Sequence, residues 1–122
     1  MSEPLSEAWR SELAERLAGQ RVGEAGTPAL RLGLRVTDED GGTLLRFTVV
    51  LGAGAPGALV EGEEGRPEVV LVESAETARR LAGGAPIAEE LSAGSVKIEG
   101  DVQRLVAADK ELAALAAALA GG

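Results

Sequence analysis

The chain has 122 residues, 45% of them hydrophobic, and a formal net charge of −8 from 12 basic and 20 acidic side chains. We expect residues 1–122 to form a single domain, and the sequence contains no His and no Cys, which excludes His-based triads, thiol nucleophiles, disulfides and zinc fingers. The acidic balance argues against nucleic-acid binding, and no apolar run reaches the roughly 20 residues of a membrane span, so stable membrane insertion is not expected either.

A helix is predicted over residues 5–18, because its large apolar residues recur every four positions. Pro4 suits the first helical turn, and Gly19 suits the end of the helix. The apolar stripe consists of Leu5, Trp9, Leu13 and Leu17.

Two strands with alternating apolar and polar residues follow, over residues 29–36 and 43–51. The intervening sequence TDEDGG is typical of a turn, so the two strands are predicted to form an antiparallel hairpin. The alternation indicates a sheet with one buried face and one more polar face.

The register of this hairpin has two solutions that align the apolar faces. If Val36 pairs with Leu45, Arg35 lies opposite Arg46, which is an unfavourable like-charge contact. We therefore predict the register in which Val36 pairs with Thr43.

A glycine-rich stretch leads into a short third strand, residues 58–63, and a fourth strand, residues 67–74. The centre of the fourth strand, VVLV, is apolar on both faces. A strand of this kind is typical of the interior of a sheet.

Short helices are predicted over residues 75–82 and 86–93, followed by a fifth strand over residues 95–101. A last helix begins after the capping residue Asp101 and runs to about residue 120. Its apolar residues follow a short heptad spacing, which favours packing on the domain itself over a coiled coil. That seam consists of Leu105, Ala108, Leu112, Leu115 and Leu119.

The order of elements is a helix, three strands in a meander, a fourth strand, two short helices, a fifth strand and a long helix. It predicts an α+β domain with one five-stranded, mostly antiparallel sheet that is covered on one face by helices.

The sequence GAGAPG contains the spacing G-x-G-x-x-G, formed by Gly52, Gly54 and Gly57 directly after a strand. Glu73 follows 21 positions after Gly52, as in a dinucleotide-binding fingerprint. Such a site needs a helix N-terminus to meet the phosphates, but the residues that follow, ALVEGEEGRP, do not suit a helix and carry glutamates that would repel phosphate. We therefore interpret the glycines as a connection between antiparallel strands.

The remaining clusters of polar residues are better explained by structural roles than by catalysis or metal binding. The acidic residues Asp38 to Asp40 suit a solvated turn and lack the spacing of an EF-hand. The pairs Glu63–Glu64 and Glu89–Glu90 suit solvated surface, and Ser74, Ser92 and Ser95 fall at element ends. We expect neither a metal nor a cofactor.

The alanine-rich helices leave the interior open to two interpretations. Small side chains over a sheet can leave an aliphatic cavity without convergent polar groups, which would select an apolar ligand. The same residues can equally form a fully packed core.

Residues 74–112 resemble the sterol carrier protein 2 domain family. The resemblance lies in a helix, a glycine break, a second helix and a strand of the form G-x-x-K-I/V-x-G-D that runs into a C-terminal helix. The matching residues are Gly83, Gly84, Gly94, Lys97, Ile98, Gly100 and Asp101. The order of the preceding elements also matches, so the resemblance spans nearly the whole chain.

The resemblance implies a non-enzymatic lipid-binding domain with an apolar tunnel between sheet and helices. The ligand would be a fatty acid, acyl-coenzyme A, a phospholipid or a sterol-like molecule, carried or presented in the cytoplasm, and the composition is compatible with a bacterial source. The residues expected on the tunnel wall are Leu32, Leu34, Phe47, Val49, Leu71, Leu81, Ile87, Leu91, Ile98, Leu105 and Leu112.

An alternative hypothesis is a protein-interaction module without a ligand. The seam of the last helix would then pair with a partner or with a second copy of the chain in a homodimer.

Overall fold

The computed structural model describes residues 5–62 and 64–120 as five helices and five strands. In chain order these are α1 (Glu7–Ala18), β1 (Leu30–Thr37), β2 (Thr43–Gly52), β3 (Ala55–Glu61), β4 (Val69–Ser74), α2 (Ala75–Ala82), α3 (Ile87–Ser92), β5 (Val96–Gly100), α4 (Val102–Val106) and α5 (Asp109–Leu119). None of these helices combines the length and the apolar character needed to cross a membrane.

The five strands form one sheet in the order β3-β2-β1-β4-β5. β4 lies between β1 and β5, which confirms its prediction as an interior strand. It runs parallel to β1, whereas the other three neighbouring pairs are antiparallel. The predicted α+β class and the mostly antiparallel five-stranded sheet are therefore confirmed.

The helices cover one face of this sheet. Alternate residues of the strands point to the same side, and most of those of β1, β2 and β4 that face the helices are aliphatic or Phe47, with Glu73 of β4 as an acidic exception. They form a single apolar core with residues from all five helices, including Trp9 and Leu13 of α1 and Leu115 of α5.

The opposite face is partly covered by the segment 64–68. A Cβ on Gly65 would lie 2.8 Å from the Cβ of Thr48, which is fully buried beneath it. Gly33 of β1 likewise lies under the ring of Pro67, where an added Cβ would meet the ring carbon Cβ at 3.0 Å. The Arg31 guanidinium donates to the carbonyl oxygen of Gly65 at 2.8 Å, which ties this segment to β1.

The predicted register of the first hairpin is wrong. Val36 pairs with Leu45, and Arg35 lies opposite Arg46. The like charges are tolerated because Arg35 forms an ion pair of 3.4 Å with Glu99 of β5, while Arg46 is exposed to solvent.

The turn that connects β1 to β2 also determines the register. The Asp38 carboxylate accepts hydrogen bonds from the backbone N–H groups of Asp40 and Gly42, at 2.9 and 2.7 Å. Thr37 then pairs with Thr43, and Leu44 is left over as a bulge. Its side chain is 58% exposed as a result.

The first helix begins two residues later than predicted. Ser6 is its N-cap, and the Ser6 hydroxyl accepts a hydrogen bond from the Trp9 N–H at 3.1 Å. Leu5 has a φ of 72° and lies outside the helix. The predicted role of Pro4 falls outside the described residues.

The long C-terminal helix is also a correction, because the structure divides it into α4 and α5. Asp101 caps α4 as predicted, by accepting from the Arg104 N–H at 3.0 Å. The helix is then interrupted at Ala108, whose φ of −105° and ψ of 38° are not helical. Asp109 and Glu111 fall in the first turn of α5, where negative charge favours a new helix start.

Candidate functional site

The eleven residues expected to bind a ligand come together in one apolar cluster between the helices and the sheet. Eight of them are buried and belong to the core itself, while Leu91, Ile98 and Leu112 are half-buried and pack against it. The buried eight are Leu32, Leu34, Phe47, Val49, Leu71, Leu81, Ile87 and Leu105.

A crevice lies at the edge of this apolar cluster, between α3 and α5. The crevice has a volume of about 340 Å³. Ile87 and Leu91 line one wall and Leu112 the other, so three of the eleven predicted residues meet there. Five further lining residues were not among them: Pro86, Ala88, Asp109, Ala113 and Ala116.

Small side chains explain the open space between α3 and α5. Ala113 and Ala116 stand on α5 where larger residues would reach across to α3. The sequence carries a signal for this gap in the run AALAAALA, although only the fold shows that Ala113 and Ala116 point toward α3.

A second crevice lies on the other side of α5, against the segment 20–23 that follows α1. Its volume is about 510 Å³. Ala113 borders both crevices, while Ala117 lines only this second one, together with the exposed cations Arg21 and Lys110. Open space therefore flanks α5 on both sides.

Glu73 is an acidic residue on the helix-covered face of the sheet. It follows Val69 and Leu71 at alternate positions of β4, so its side chain points to the same side as theirs. In the sheet it pairs with Val36 of β1 and Val96 of β5, both buried. Only 5% of Glu73 is exposed, and its Oε2 atom has no hydrogen-bond partner.

This environment changes the acidity of Glu73. Burial raises the pKa of its carboxyl from the ordinary 4.5 to about 7, and repulsion from Glu90 of α3 adds a smaller upward contribution. The alternation of β4 was a signal for this burial, because it places Glu73 in line with two core residues.

An ion pair joins the two short helices above this end of the sheet. Arg80 of α2 donates from Nε and Nη2 to the two carboxylate oxygens of Glu90, each at 3.0 Å. A second Nη2 bond reaches the hydroxyl of buried Thr77 at 3.1 Å, and Glu76 lies 3.3 Å from Nη1. The hydrogen bond from Arg80 holds the pKa of Glu90 below its ordinary value.

The glycine motif forms a hairpin turn between β2 and β3, which confirms its interpretation as a connection between antiparallel strands. Ala53 and Gly54 have φ values of 58° and 69°, the pattern of a type I′ turn. β3 begins at Ala55, three residues earlier than predicted, because this turn is so short.

The backbone N–H groups that a phosphate would need are already used. Gly54 N–H donates to the carbonyl oxygen of Val22 at 2.8 Å, and Gly57 N–H donates to that of Gln20 at 3.1 Å. The motif therefore attaches the hairpin to the segment after α1. Glu73 lies on the helix-covered face of β4 and serves no nucleotide site of the fingerprint type.

The other acidic residues take structural positions. Asp38 organises the β1–β2 turn through its two backbone hydrogen bonds. Within residues 5–62 and 64–120, no three carboxylates come together as ligands of a metal ion would.

This chain is similar to known proteins in its three-dimensional structure. No family model and no curated protein matches the sequence. A conserved hypothetical protein of Thermus thermophilus, suggested to be a sterol carrier protein, superimposes with a TM-score of 0.70 over 98% of this chain and 89% of its own, at 20% identity.

Two further structures agree. A crystal structure of sterol carrier protein 2 gives a TM-score of 0.67 over 97% of this chain and 98% of that one, at 20% identity. A sterol carrier protein 2 from Aedes aegypti, in complex with the C16 fatty acid palmitate, gives 0.55 over 93% and 98%, at 18% identity. This chain therefore has the fold of the sterol carrier protein 2 domain.

Proposed function

We propose that residues 1–122 form a single lipid-binding domain that carries or presents an apolar lipid without transforming it. The observation that carries this proposal is the apolar crevice between α3 and α5, which lies beside the aliphatic core. An acyl chain that enters there would leave water for a lining of Ile87, Leu91 and Leu112. Each methylene buried in this way contributes about 0.8 kcal/mol.

The size of the crevice indicates how a ligand would enter. A volume of about 340 Å³ is near the lower end of the roughly 300–1,000 Å³ of small-molecule sites. A long chain would therefore separate α3 from α5 and extend toward the core residues beneath. The open space on the far side of α5 gives that helix room to move.

The remaining predicted residues would form the wall of the enlarged cavity. They lie on adjacent strands and helices of one continuous cluster, so a ligand that displaced α5 would come next to them. These residues are Leu32, Leu34, Phe47, Val49, Leu71, Leu81, Ile98 and Leu105.

The ligand class follows from the lining and from the fold. A fatty acid, an acyl-coenzyme A, a phospholipid or a sterol-like molecule presents the apolar surface that an aliphatic wall selects, and palmitate is bound in a structure of the same fold. With neither His nor Cys in the chain, carriage in the cytoplasm suits this protein better than catalysis.

Two neighbouring alanines on α5 allow a matched test. Ala116 lines only the crevice toward α3, and Ala117 lines only the crevice on the opposite side. We expect Ala116→Trp to fill the α3–α5 crevice and to weaken binding at least about tenfold, the equivalent of about 1.4 kcal/mol. Ala117→Trp should change the affinity by less than about twofold.

The measurement is saturable binding of a fluorescent fatty acid and its displacement by palmitate, for the wild type and both variants at equal protein concentration. Circular dichroism verifies that each variant is folded. Absence of saturable binding by the wild type would overturn the proposal. Equal weakening by the two Trp variants would overturn the assignment of the site to the α3–α5 side.

The alternative of pairing through the C-terminal seam has less support. Leu105, Ala108, Leu115 and Leu119 of that seam are buried in the chain's own core. The predicted packing of the seam on its own domain is thus confirmed, and Leu112 remains as its half-buried member.

A further inference from the structure

The carboxyl of Glu73 occupies an unusual position beneath the α2–α3 pair. It stands between the buried side chains of Val36 and Val96 on the face that the helices cover. Its Oε2 atom is shielded from water and makes no hydrogen bond. A carboxylate oxygen in such a place lacks both the solvent and the donors that normally stabilise its charge.

The two helices near this carboxyl are held to each other by one ion pair. Arg80 of α2 and Glu90 of α3 form two hydrogen bonds of 3.0 Å. Only residues 83–86 separate the helices in the chain. α2 and α3 are therefore linked both covalently and electrostatically, and we expect them to move as a pair.

We propose that Glu73 is a proton-operated latch: with the proton bound, α2 and α3 stay closed on the sheet, and loss of the proton favours their opening. This inference rests on the fold and on the position of one carboxyl, and it holds whether or not the protein binds lipid.

The charges around Glu73 explain the direction of the effect. Glu90 is the charged neighbour that raises the pKa of Glu73. Arg80, the nearby cation, already forms an ion pair with Glu90. Side chains that alternate to the opposite face of the sheet belong to Arg35, Lys97 and Glu99. The other charged residues on the two helices, Glu76, Arg79 and Glu89, are exposed.

An ionised Glu73 thus has two ways to lower its energy, and both require movement of the helices. Opening of the pair would admit water to its carboxylate and would increase its distance from Glu90. The pKa of about 7 in the closed state places this change near neutral pH. Combined with the proposed function, the latch would ease exchange of lipid as the pH rises through 7.

Native-state hydrogen exchange of the ligand-free protein tests the latch directly. The opening constant of α2 and α3 amides is measured from pH 5.5 to 8, with correction for intrinsic exchange. If Glu73 regains its ordinary pKa of 4.5 when open, the constant should rise about 15-fold from pH 5.5 to 7 and less than about twofold from pH 7 to 8.

Two variants and one internal reference make the result decisive. Glu73→Gln, which resembles the protonated acid, should remove the rise, whereas Glu89→Gln on the exposed side of α3 should retain it. Amides of α1 serve as the reference for global unfolding. The α1 constant should rise by the same factor, because Glu73 also regains its ordinary pKa in the unfolded chain, but it should be smaller than the α2 and α3 constants at every pH. A rise in Glu73→Gln equal to that of the wild type would overturn the latch, and so would opening constants of α2 and α3 no larger than those of α1.

A titration of the wild type keeps the inference testable if Glu73→Gln does not fold. The carboxyl carbon of Glu73 is followed by ¹³C NMR across the same pH range. A midpoint near 7 supports the latch, and a midpoint near 4.5 overturns it. Neither measurement involves lipid, so failure of the latch and failure of lipid binding are distinguished.

Discussion

The two sides of the helical cover are built differently. α1 presses Trp9, Leu13 and Leu17 into the core, all at most 6% exposed. Its C-terminal end lies so close to β3 that a Cβ on Gly57 would approach the Leu17 carbonyl oxygen to 2.6 Å. The α3–α5 side instead presents alanines, half-buried Leu91 and Leu112, and an open crevice.

The difference fits the proposed function, which requires a rigid part of the core and a part with room for a ligand. Large side chains in close contact on the α1 side make that part of the structure costly to deform. Small side chains on the α3–α5 side make fewer packing contacts. They leave space in which a ligand could bind. If the proposed function is right, the ligand is therefore expected on the α3–α5 side, where the packing is looser than around α1 and the lining is mostly apolar.

The largest expected effect is a loss of stability when a Leu is replaced by Ala on the α1 side, compared with the same replacement on the α3–α5 side. Leu13→Ala on α1 leaves a cavity at a fully buried position and should lower the free energy of unfolding by about 4 kcal/mol. Leu112→Ala on α5 removes a half-buried side chain beside existing open space and should cost only about 1 kcal/mol. Urea denaturation at constant pH measures both.

Both variants should retain the m-value of the wild type, so that the change in midpoint reports stability alone. Equal losses from the two substitutions would contradict the distinction between a rigid and a loosely packed side.

The next effect is the pH dependence that Glu73, beneath α2 and α3, gives to the free energy of unfolding. Because the pKa of Glu73 is raised from 4.5 to about 7 on folding, the folded chain holds this proton more tightly than the unfolded chain. Stability from this group is therefore greatest below pH 4.5, falls as the pH rises toward 7, and levels off above 7. Between pH 5.5 and 8 the loss should be about 2 kcal/mol.

The contribution of Glu73 is isolated by subtracting the pH profile of Glu73→Gln from that of the wild type, both from urea denaturation. Glu89→Gln provides the matched removal of one exposed charge. If the difference profile is flat, Glu73 has an ordinary acidity in the folded protein.

The smallest expected effect lies at the β2–β3 turn, which is attached to the α1 side. Ala53 has a φ of 58°, and Ala53→Asn would create the Asn-Gly pair that type I′ turns favour. We expect a gain of about 0.5 kcal/mol in stability, with lipid affinity unchanged. Ala53→Val should act in the opposite direction, because a β-branched residue suits this conformation poorly.

Thermal unfolding of the two Ala53 variants checks the sign, and fatty-acid displacement checks the affinity. A change in affinity would show that the turn is coupled to the α3–α5 crevice, and would contradict the independence of the two sides.

Short-range patterns in the sequence were sufficient for the kinds and order of the elements. Alternation identified the strands, the four-residue spacing identified α1, and the run PEVVLVES identified an interior strand. Residues 75–82 were predicted as a helix with the bounds that the structure has. These features depend on residues within a few positions of one another, which a sequence displays directly.

The errors have both long-range and local causes. The register of β1 and β2 brings Arg35 opposite Arg46, an arrangement made acceptable by Glu99, 64 positions along the chain from Arg35. The interruption at Ala108 was hidden because the heptad seam continues through it.

The sequence alone was enough to predict an α+β domain with an aliphatic interior and without His or Cys. The tertiary structure alone decided which of the aliphatic residues reach an opening and that Glu73 lies beneath the helices without a partner for Oε2. The physical reason is that apolar character is a property of each residue. Free space and desolvation are properties of what distant segments place around it.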